Sequence, residues 1–178
     1  MMTEREHTRQ AFETLVEPHL RTLFRLARRL VRQDEEATDL VQETCLKAFR
    51  AFHQFRPGSN GKAWLVTILL NTARDWARKA GSVPPLLCFD EVTEFVRPAG
   101  TSPDPEDVAV QTNLGYLVRL ALDDLPPEFR LVVLLADVEG FAYREIADLV
   151  RCPIGTVMSR LHRGRRLLRT TLQELIEE

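Results

Sequence analysis

Apolar residues recur at intervals of three and four along most of the chain, which is the spacing of amphipathic helices. Up to Leu30 this pattern predicts one helix that Pro18 kinks or restarts. Asp34 is expected to cap a second helix. A third helix follows the turn-forming segment FRPGSNG and stops near Gly81. The apolar stripes of these helices are Phe12, Leu15, Val16, Leu20, Leu23, Leu26, Ala27 and Leu30; Ala37, Leu40, Val41, Cys45, Ala48, Phe49 and Phe52; and Trp64, Leu65, Ile68, Leu69, Ala73 and Trp76.

The C-terminal part of the chain predicts shorter helices, because proline and glycine interrupt its apolar pattern more often. The expected elements are a helix from about Leu114 to Asp124, a helix from Pro126-Pro127 to about Asp137, a short helix over Tyr143–Val150, and a last helix with Pro153 at its first position. A short helix, a turn and a long helix in this order are typical of a helix-turn-helix. Its expected shared core is Ile146, Val150, Ile154 and Val157, with the small Ala147 where the two helices approach.

Residues 86–113 predict a linker between these two helical parts. Proline and glycine there break any helix, as in Pro98-Ala-Gly. The segment holds one basic and six acidic residues, whereas residues 1–85 carry a net charge of +4. We therefore predict an all-α protein of two small helical domains, 1–85 and 114–178, joined by a flexible acidic linker.

Composition excludes several classes of protein. Hydrophobic residues make up 44% of the 178 residues and charged residues 28%, as in ordinary globular proteins. No apolar run approaches the roughly 20 residues of a membrane span, and the N-terminus lacks the apolar core of a signal peptide. Cys45, Cys88 and Cys152 have no zinc-site spacing and are expected to be reduced thiols. We expect a cytoplasmic protein without membrane insertion, cofactor, metal site or catalytic residue.

The last predicted helix has the side chains of a DNA-reading helix. Hydroxyl groups and guanidinium forks on one face suit base edges and phosphates. That face consists of Thr156, Ser159, Arg160 and Arg163, and Arg165, Arg166 and Arg169 continue it as a basic stripe. An arginine run alone is more often a solvated helix face, but the short helix, the turn and the small residue before this one favour DNA binding. Glycine is favoured at the turn, where this chain has Arg151, and a left-handed conformation would cost arginine about 1 kcal/mol.

The third predicted helix combines aromatic, amide and basic side chains. Aromatic rings stack on unpaired bases, Asn and Thr bond to base edges, and Arg and Lys meet phosphates. The glycine-containing loop before the helix could form a pocket for an extruded base. Core packing remains an alternative for both Trp64 and Trp76. The residues concerned are Trp64, Asn71, Thr72, Arg74, Asp75, Trp76 and Arg78.

These segments together resemble the extracytoplasmic-function (ECF, group IV) sigma factors of bacterial RNA polymerase. The stretch from Asp34 to Lys79, with DLVQET and the AWL…NTARD block, resembles their region 2. The stretch from Leu122 to Arg169, with GTVMSRLHRGRR, resembles their region 4. The acidic linker matches in place and charge. FHQFRPGSN and GTVMSRLHRGRR are most similar to the branch controlled by thiol-sensitive, zinc-binding anti-sigma factors.

The resemblance implies a protein that binds core RNA polymerase and promoter DNA, recognises −10 and −35 elements and initiates transcription of stress-response genes under anti-sigma control. It implies contacts with the clamp coiled coil and the flap of the polymerase, and a linker in the polymerase channel. By similarity, Asp39, Leu40, Gln42, Glu43 and Lys47 bind the polymerase. The −10 set is Phe55, Arg56, Ser59, Asn60, Lys62, Trp64, Asn71, Thr72, Arg74, Asp75 and Arg78. The −35 set is Tyr143, Arg144, Thr156, Met158, Ser159, Arg160, His162, Arg163, Arg165 and Arg166. Met158 often corresponds to Lys or Arg in relatives, which leaves its contact with DNA open.

Two other interpretations remain at this stage. A stand-alone helix-turn-helix regulator with an N-terminal sensor domain needs no polymerase surface, but it leaves the aromatic and polar cluster unexplained. An enzyme would rest on Glu4-x-x-His7, which is one half of a di-iron pattern without a second copy.

Overall fold

The computed structural model describes residues 4–31, 33–81 and 113–177, and every regular element within them is helical. The all-α prediction is confirmed. The chain divides into two compact units between Pro84 and Pro85, here called the N-terminal unit and the C-terminal unit. The predicted linker over 86–113, including Cys88, lies outside the described residues except for Asn113.

The N-terminal unit contains four α-helices and two short 3-10 turns. The elements are α1 (Glu4–Val16), a 3-10 turn (Glu17–His19), α2 (Leu20–Leu30), α3 (Asp34–Ala51), a 3-10 turn (Phe52–Gln54) and α4 (Gly61–Lys79). Pro18 therefore does interrupt the first predicted helix, because proline has no N–H for the helical ladder. The loop before α4 turns at Gly58, whose φ of 83° suits glycine.

Helix α3 is central to the N-terminal unit and packs against both α2 and α4. The largest fully buried side chains there are Leu23, Leu26, Leu40, Leu65, Leu69 and Leu70. All of them except Leu70 belong to the predicted stripes, and Val66, which is also fully buried, was likewise outside the predicted stripe of α4. Phe49 was expected in the stripe of α3, but 43% of its surface is exposed. It lies at the edge of the stripe, where its ring meets that of Phe12 edge-on at 5.1 Å.

Two predicted helix starts are wrong by one residue. Helix α3 is preceded by Gln33, whose N–H bonds to the Glu36 carboxylate at 3.3 Å, so Asp34 is the first helical residue and not the cap. The last helix of the chain begins at Ile154, and the carbonyl of Pro153 accepts its first intrahelical bond, from Val157. Both helices are present as expected, and only the position of the first helical residue differs, by one residue.

The C-terminal unit is a helical bundle organised around its last helix. Its elements are α5 (Asn113–Asp124), α6 (Pro127–Val133) with a π-helical continuation (Leu134–Val138), α7 (Tyr143–Val150) and α8 (Ile154–Glu177). Helix α8 packs against α5, α6 and α7. Of the predicted shared core, Ile146, Val150 and Val157 are buried, whereas Ile154 is 42% exposed because it occupies the first turn of α8.

Two features of this unit escaped the sequence pattern. The helix predicted to end near Asp137 closes with a π turn, in which the Glu139 N–H bonds to the Leu134 carbonyl at 2.9 Å. Arg130 is buried, and its guanidinium donates to the carbonyl oxygens of Leu125 (2.8 Å) and Asp123 (2.5 Å), which ties the end of α5 to α6. Burial lowers the pKa of Arg130, although Asp124 acts in the opposite direction.

Helix α8 approaches α6 closely at Gly164. A Cβ atom there would lie 2.9 Å from Val133 Cγ2 and 3.1 Å from Phe129 Cβ. Both neighbours belong to the packed face of α6, so they have little room to move. Gly155 lies on the same helix, and nothing would come within 4 Å of its Cβ.

We expect Gly164→Ala to destabilise the protein by about 1 kcal/mol, because overpacking of about 1–3 kcal/mol exceeds the helix-propensity gain of alanine. Gly155→Ala is the matched control and is expected to stabilise it by a few tenths to about 1 kcal/mol. The measurement is urea unfolding followed by circular dichroism. Equal stabilisation by both substitutions would show that α6 and α8 have space to spare.

Candidate nucleic-acid and partner interfaces

The outer face of α3 is the predicted polymerase-binding surface. Asp39 and Gln42 are exposed on it, as expected. Leu46 and Phe49 continue the same face at helical spacing, with 59% and 43% of their surfaces exposed. Phe49 was predicted to lie in the core, and Leu46 falls outside the predicted stripe of α3. We call these four residues the α3 outer face.

Leu40 does not belong to this surface. It is fully buried between α3 and its neighbours, so the prediction that it contacts a partner is corrected. Its position along the helix places it on the stripe with Ala37 and Thr44, which is the core side of α3. Leu40 stabilises the surface only by holding the helix in place.

Glu43 and Lys47 belong to a polar network that joins α3 to α4. The indole N–H of Trp76 donates to Glu43 Oε2 at 2.5 Å, and Lys47 Nζ lies 3.0 Å from Glu43 Oε1. The same Nζ lies 3.4 Å from Asp75 Oδ2, and Arg78 pairs with the other oxygen of Asp75. We call these five residues the α3–α4 network. It links residues that the sequence assigned to two different partners.

The electrostatics of the network favour ionised carboxylates. Burial alone would raise the pKa of Glu43, but the hydrogen bonds from Trp76 and Lys47 outweigh it and hold that pKa below its ordinary value. The hydrogen bond from Arg78 lowers the pKa of Asp75, against a smaller effect of burial. Glu43 is therefore a structural group as well as a surface one. A substitution of Glu43 therefore removes contacts between α3 and α4 as well as changing the surface.

The loop before α4 is exposed but internally bonded. Ser59 Oγ donates to the Arg56 carbonyl at 2.7 Å, and Asn60 Oδ1 accepts from the Ala63 N–H at 3.1 Å, which caps α4. Arg56, Ser59 and Asn60 are exposed, and Lys62 is half-buried near His19. Burial, and then the charge of Lys62, lower the pKa of His19. The loop therefore presents side chains on a fixed backbone.

A series of contacting aromatic rings extends from α1 through this loop to the first turn of α4. Phe12 contacts Phe52 at 5.4 Å between ring centroids, Phe52 stacks with Phe55 at 6.1 Å, and Phe55 meets Trp64 at 5.0 Å. Trp64 and Phe55 are half-buried, so each ring packs on one side and leaves part of its surface open. The two alternatives for Trp64, core packing and base stacking, are compatible in this arrangement.

The polar side of α4 is partly engaged within the unit. Arg74 Nη1 donates to Asn71 Oδ1 at 3.1 Å, and both side chains are half-buried. Thr72 is fully buried and its hydroxyl donates to the Ile68 carbonyl, so the prediction that its side chain contacts DNA is corrected. Trp76 is half-buried and held by Glu43. Among the predicted −10 residues of α4, Arg78 is exposed, and Asn71 and Arg74 keep part of their polar surface accessible.

Helices α7 and α8 form the predicted helix-turn-helix. The turn contains Arg151 at φ 60° and ψ 45°, the left-handed conformation that favours glycine, and the Cys152 N–H closes it on the Ala147 carbonyl at 3.1 Å. Arg144 is exposed on α7. The exposed face of α8 consists of Ser159, His162, Arg163 and Arg166, with Met158 beside it at 49% exposure.

Other predicted −35 residues have a different environment. Thr156 and Arg160 are half-buried, and Arg160 lies near the Cys152 thiol. Arg165 is bonded to Asp137 and to the hydroxyl of Tyr143, so two residues assigned to DNA contact each other instead. The structure therefore brings one part of the predicted set together as an open face and uses another part for internal contacts.

No group of three or more His, Cys, Asp or Glu side chains in the described ranges is placed to hold a metal ion. Cys45 and Cys152 are free thiols, and burial raises the pKa of both. At Cys152 this effect of burial is larger than the opposite effect of the Arg160 charge. No helix among the described residues combines the length and apolarity needed to cross a membrane.

A basic helix-turn-helix in one unit and an aromatic and polar surface in the other are typical of a protein that binds nucleic acid. The Sigma-70 region 2 family profile matches residues 15–83, and the Sigma-70 region 4 profile matches residues 116–168. The chain belongs to the extracytoplasmic-function family of RNA polymerase sigma factors, as its resemblance implied. The N-terminal unit thus contains region 2, and the C-terminal unit contains region 4.

Curated relatives support this membership. The chain is 33% identical to the RNA polymerase sigma-H factor of Pseudomonas aeruginosa, over 96% of this chain and 90% of that protein. It is 32% identical to the ECF sigma-E factor of Escherichia coli, with coverages of 94% and 89%. It is 38% identical to the ECF sigma factor SigE of Mycolicibacterium smegmatis, over 91% of this chain but 62% of that longer protein.

Two solved structures are similar in fold. One is the sigma factor RpoE in complex with the anti-sigma factor NepR from Bartonella quintana, with a TM-score of 0.66, 31% identity, and coverage of 92% of this chain and 98% of that chain. The other is CnrH in complex with the cytosolic domain of CnrY, with a TM-score of 0.62, 26% identity, and coverage of 93% and 90%.

We expect Glu43→Gln to destabilise the N-terminal unit by about 1 kcal/mol at pH 7, because a neutral amide replaces a charged acceptor. Since folding lowers the pKa of Glu43, the unfolded chain takes up its proton first, and the advantage of the wild type is lost as pH falls below the ordinary value of 4.5. Both tryptophans lie in this unit, so urea unfolding followed by tryptophan fluorescence at several pH values measures it. A difference that stays constant from pH 7 to pH 3 would contradict the role of the carboxylate.

Proposed function

We propose that this protein is a sigma factor that binds core RNA polymerase, directs it to promoters with −10 and −35 elements and initiates transcription under the control of an anti-sigma factor. The observation that carries the proposal is the open face of α8, with Ser159, Arg163 and Arg166, in one chain with a region 2 unit. A stand-alone regulator would need only the first of these. The polymerase supplies the catalysis, and the protein acts where the polymerase does, in the cytoplasm.

Core polymerase docks on the α3 outer face. Asp39 and Gln42 give the surface charge and hydrogen-bonding groups, and Leu46 adds apolar area among them. An exposed leucine flanked by polar groups is typical of a surface that packs against a partner helix. The α3–α4 network lies beside this face, so Glu43 and Lys47 contribute by keeping α3 and α4 in register.

The −10 element meets the loop and the accessible side of α4. Arg56 and Ser59 lie on an exposed, internally bonded loop above the half-buried rings of Phe55 and Trp64. An extruded base stacking on an aromatic platform gains roughly 1–3 kcal/mol. Asn71 and the basic side chains Arg74 and Arg78 lie on the helix that follows.

The −35 element meets the N-terminal half of α8, which enters the major groove. Ser159 and Arg163 are accessible to base edges, and Arg166 lies one turn further on. Helix α7 adds Arg144, which is exposed and suited to a phosphate contact.

An anti-sigma factor that covers surfaces of both units would prevent polymerase binding. The similar RpoE structure contains an anti-sigma factor, which supports a partner of this kind. The assignment to the zinc-binding branch stays a prediction. Redox sensing would then belong to the partner, because the described thiols have raised pKa values and little thiolate.

The test is run-off transcription with purified core polymerase. We expect a defined transcript only when the protein is added to a template with its −10 and −35 elements, found by mapping transcript starts. A regulator alone gives no transcript with core polymerase, and that result would reject the proposed function.

For the docking surface, we expect Asp39→Arg with Gln42→Arg to weaken core polymerase binding by about 1 kcal/mol or more, because both face the partner and neither supports the core. The matched control is Gln10→Arg with Glu13→Arg, which makes the same change of net charge at exposed positions of α1 and breaks only the exposed pair of Glu13 with Arg9. The measurement is a pull-down titration. Equal loss in both pairs would indicate a general charge effect.

For −35 reading, we expect Arg163→Ala in the holoenzyme to lose preference at one −35 position, since a bidentate guanine contact gives about 1–3 kcal/mol of discrimination. The measurement is binding across a library of single-base −35 variants. If all sites weaken equally, Arg163 contacts the backbone, and specificity lies in other side chains or in DNA shape.

A further inference from the structure

The guanidinium group of Arg165 on α8 makes three hydrogen bonds to two side chains. Its Nε donates to Asp137 Oδ2 at 2.9 Å, and its Nη2 donates to Asp137 Oδ1 at 2.6 Å. Its Nη1 donates to the Tyr143 hydroxyl at 3.2 Å. A bidentate arginine–carboxylate pair fixes orientation as well as distance. We call Asp137, Tyr143 and Arg165 the Arg165 clamp.

The clamp joins three segments of the C-terminal unit. Asp137 lies in the π turn that follows α6, and Tyr143 is the first residue of α7. Arg165 lies on α8 one turn beyond the buried Leu161. These contacts tie both helices of the helix-turn-helix to the α6 end of the bundle. Tyr143 and Arg165 are partly exposed, so the clamp lies at the rim of the core.

The charge of Arg165 is already compensated. The hydrogen bonds from its guanidinium to Asp137, and then to Tyr143, raise its pKa, because they favour the charged form. A phosphate would therefore meet a neutral pair. By contrast, the guanidinium groups of Arg163 and Arg166 make no ion pair with any residue in the described part of the chain. The two kinds of arginine lie within one turn of each other.

We propose that Arg165 is a positioning residue for −35 reading: through Asp137 and Tyr143 it fixes how α8 lies on the bundle, and it does not contact DNA. Base recognition requires side chains to be held within about 0.5 Å of the productive geometry. Apolar packing against α5, α6 and α7 sets the distance of α8 from the bundle, and three directional bonds at one point also set its orientation there. This inference rests on the proposed −35 function of α8.

The experiment measures −35 discrimination and salt dependence of the holoenzyme with full-length variants. Asp137→Asn and Arg165→Gln each break the ion pair, and their combination tests whether the two effects are shared. Tyr143→Phe removes one bond of the clamp and keeps the ring. Arg166→Gln is the matched control, with the same change on the neighbouring residue outside the clamp. All binding measurements are made at a temperature at which circular dichroism shows that every variant is folded.

Discrimination is the ratio of the affinities for the preferred −35 sequence and for a single-base variant. We expect Asp137→Asn and Arg165→Gln each to reduce this ratio roughly fivefold, and their combination to reduce it no further. Tyr143→Phe should narrow it less, in the same direction. The slope of affinity against salt should stay at the wild-type value in these three. Arg166→Gln should keep discrimination but reduce that slope by about 1, as expected for a lost phosphate contact.

The proposal is overturned if Arg165→Gln behaves like Arg166→Gln while Asp137→Asn strengthens binding to every promoter, because Arg165 would then be a phosphate contact restrained by Asp137. Unchanged discrimination in both clamp variants also overturns it. Failure of the proposed function looks different: wild-type holoenzyme itself would bind all −35 sequences equally.

Discussion

A helix in a small bundle can bury only one stripe of its surface, and both units of this protein are built within that limit. In the N-terminal unit, α3 directs Leu40 and Val41 inward, which leaves Asp39, Gln42 and Leu46 outside. The surfaces available to partners are therefore the helix faces that do not pack in the core. Their composition decides the function, and the buried stripes decide where they lie.

Directional polar contacts then add a fixed orientation to the packing behind these faces. The hydrogen bond between Trp76 and Glu43 holds α3 against α4, the two helices of the proposed polymerase and −10 surfaces. The ion pair between Asp137 and Arg165 likewise lies beside the open face of α8, which is the proposed −35 surface. Each contact lies between a core stripe and an open face. A substitution there changes geometry on both sides, which explains why charged residues at such positions are poor candidates for surface mutagenesis.

The sequence predicted the fold well because helical periodicity and turn residues are local signals. It predicted the helix-turn-helix, the strained turn at Arg151 and the loop before α4. It misplaced Leu40 and Thr72, because similarity assigns a motif as a whole, while burial alternates within it every few residues. It could not separate Arg165 from Arg166, because the difference depends on Asp137, which is distant in sequence.

Other features had no local signal at all. The close approach at Gly164 depends on Phe129 and Val133 across the bundle, and a glycine in a helix has several explanations. The buried Arg130 depends on carbonyl groups left free where α5 ends. The exposed Leu46 could have been found, since it follows Asp39 and Gln42 at helical spacing. The sequence therefore predicted which segments form the candidate interfaces. Which residues of each segment are open and which make internal contacts became clear only from the three-dimensional structure.

The geometry of α8 separates two kinds of position along one helix. Val157, Leu161 and Gly164 fall on the packed side, and the open side includes Ser159 and Arg163, whose neighbours do not depend on them. Substitutions at such open positions change stability by about 0.5 kcal/mol or less. Descendants of this chain can therefore acquire a new promoter preference through single replacements on the open side while inheriting the bundle unchanged. The set of promoters that such proteins recognise can therefore change faster in evolution than the helical bundle itself.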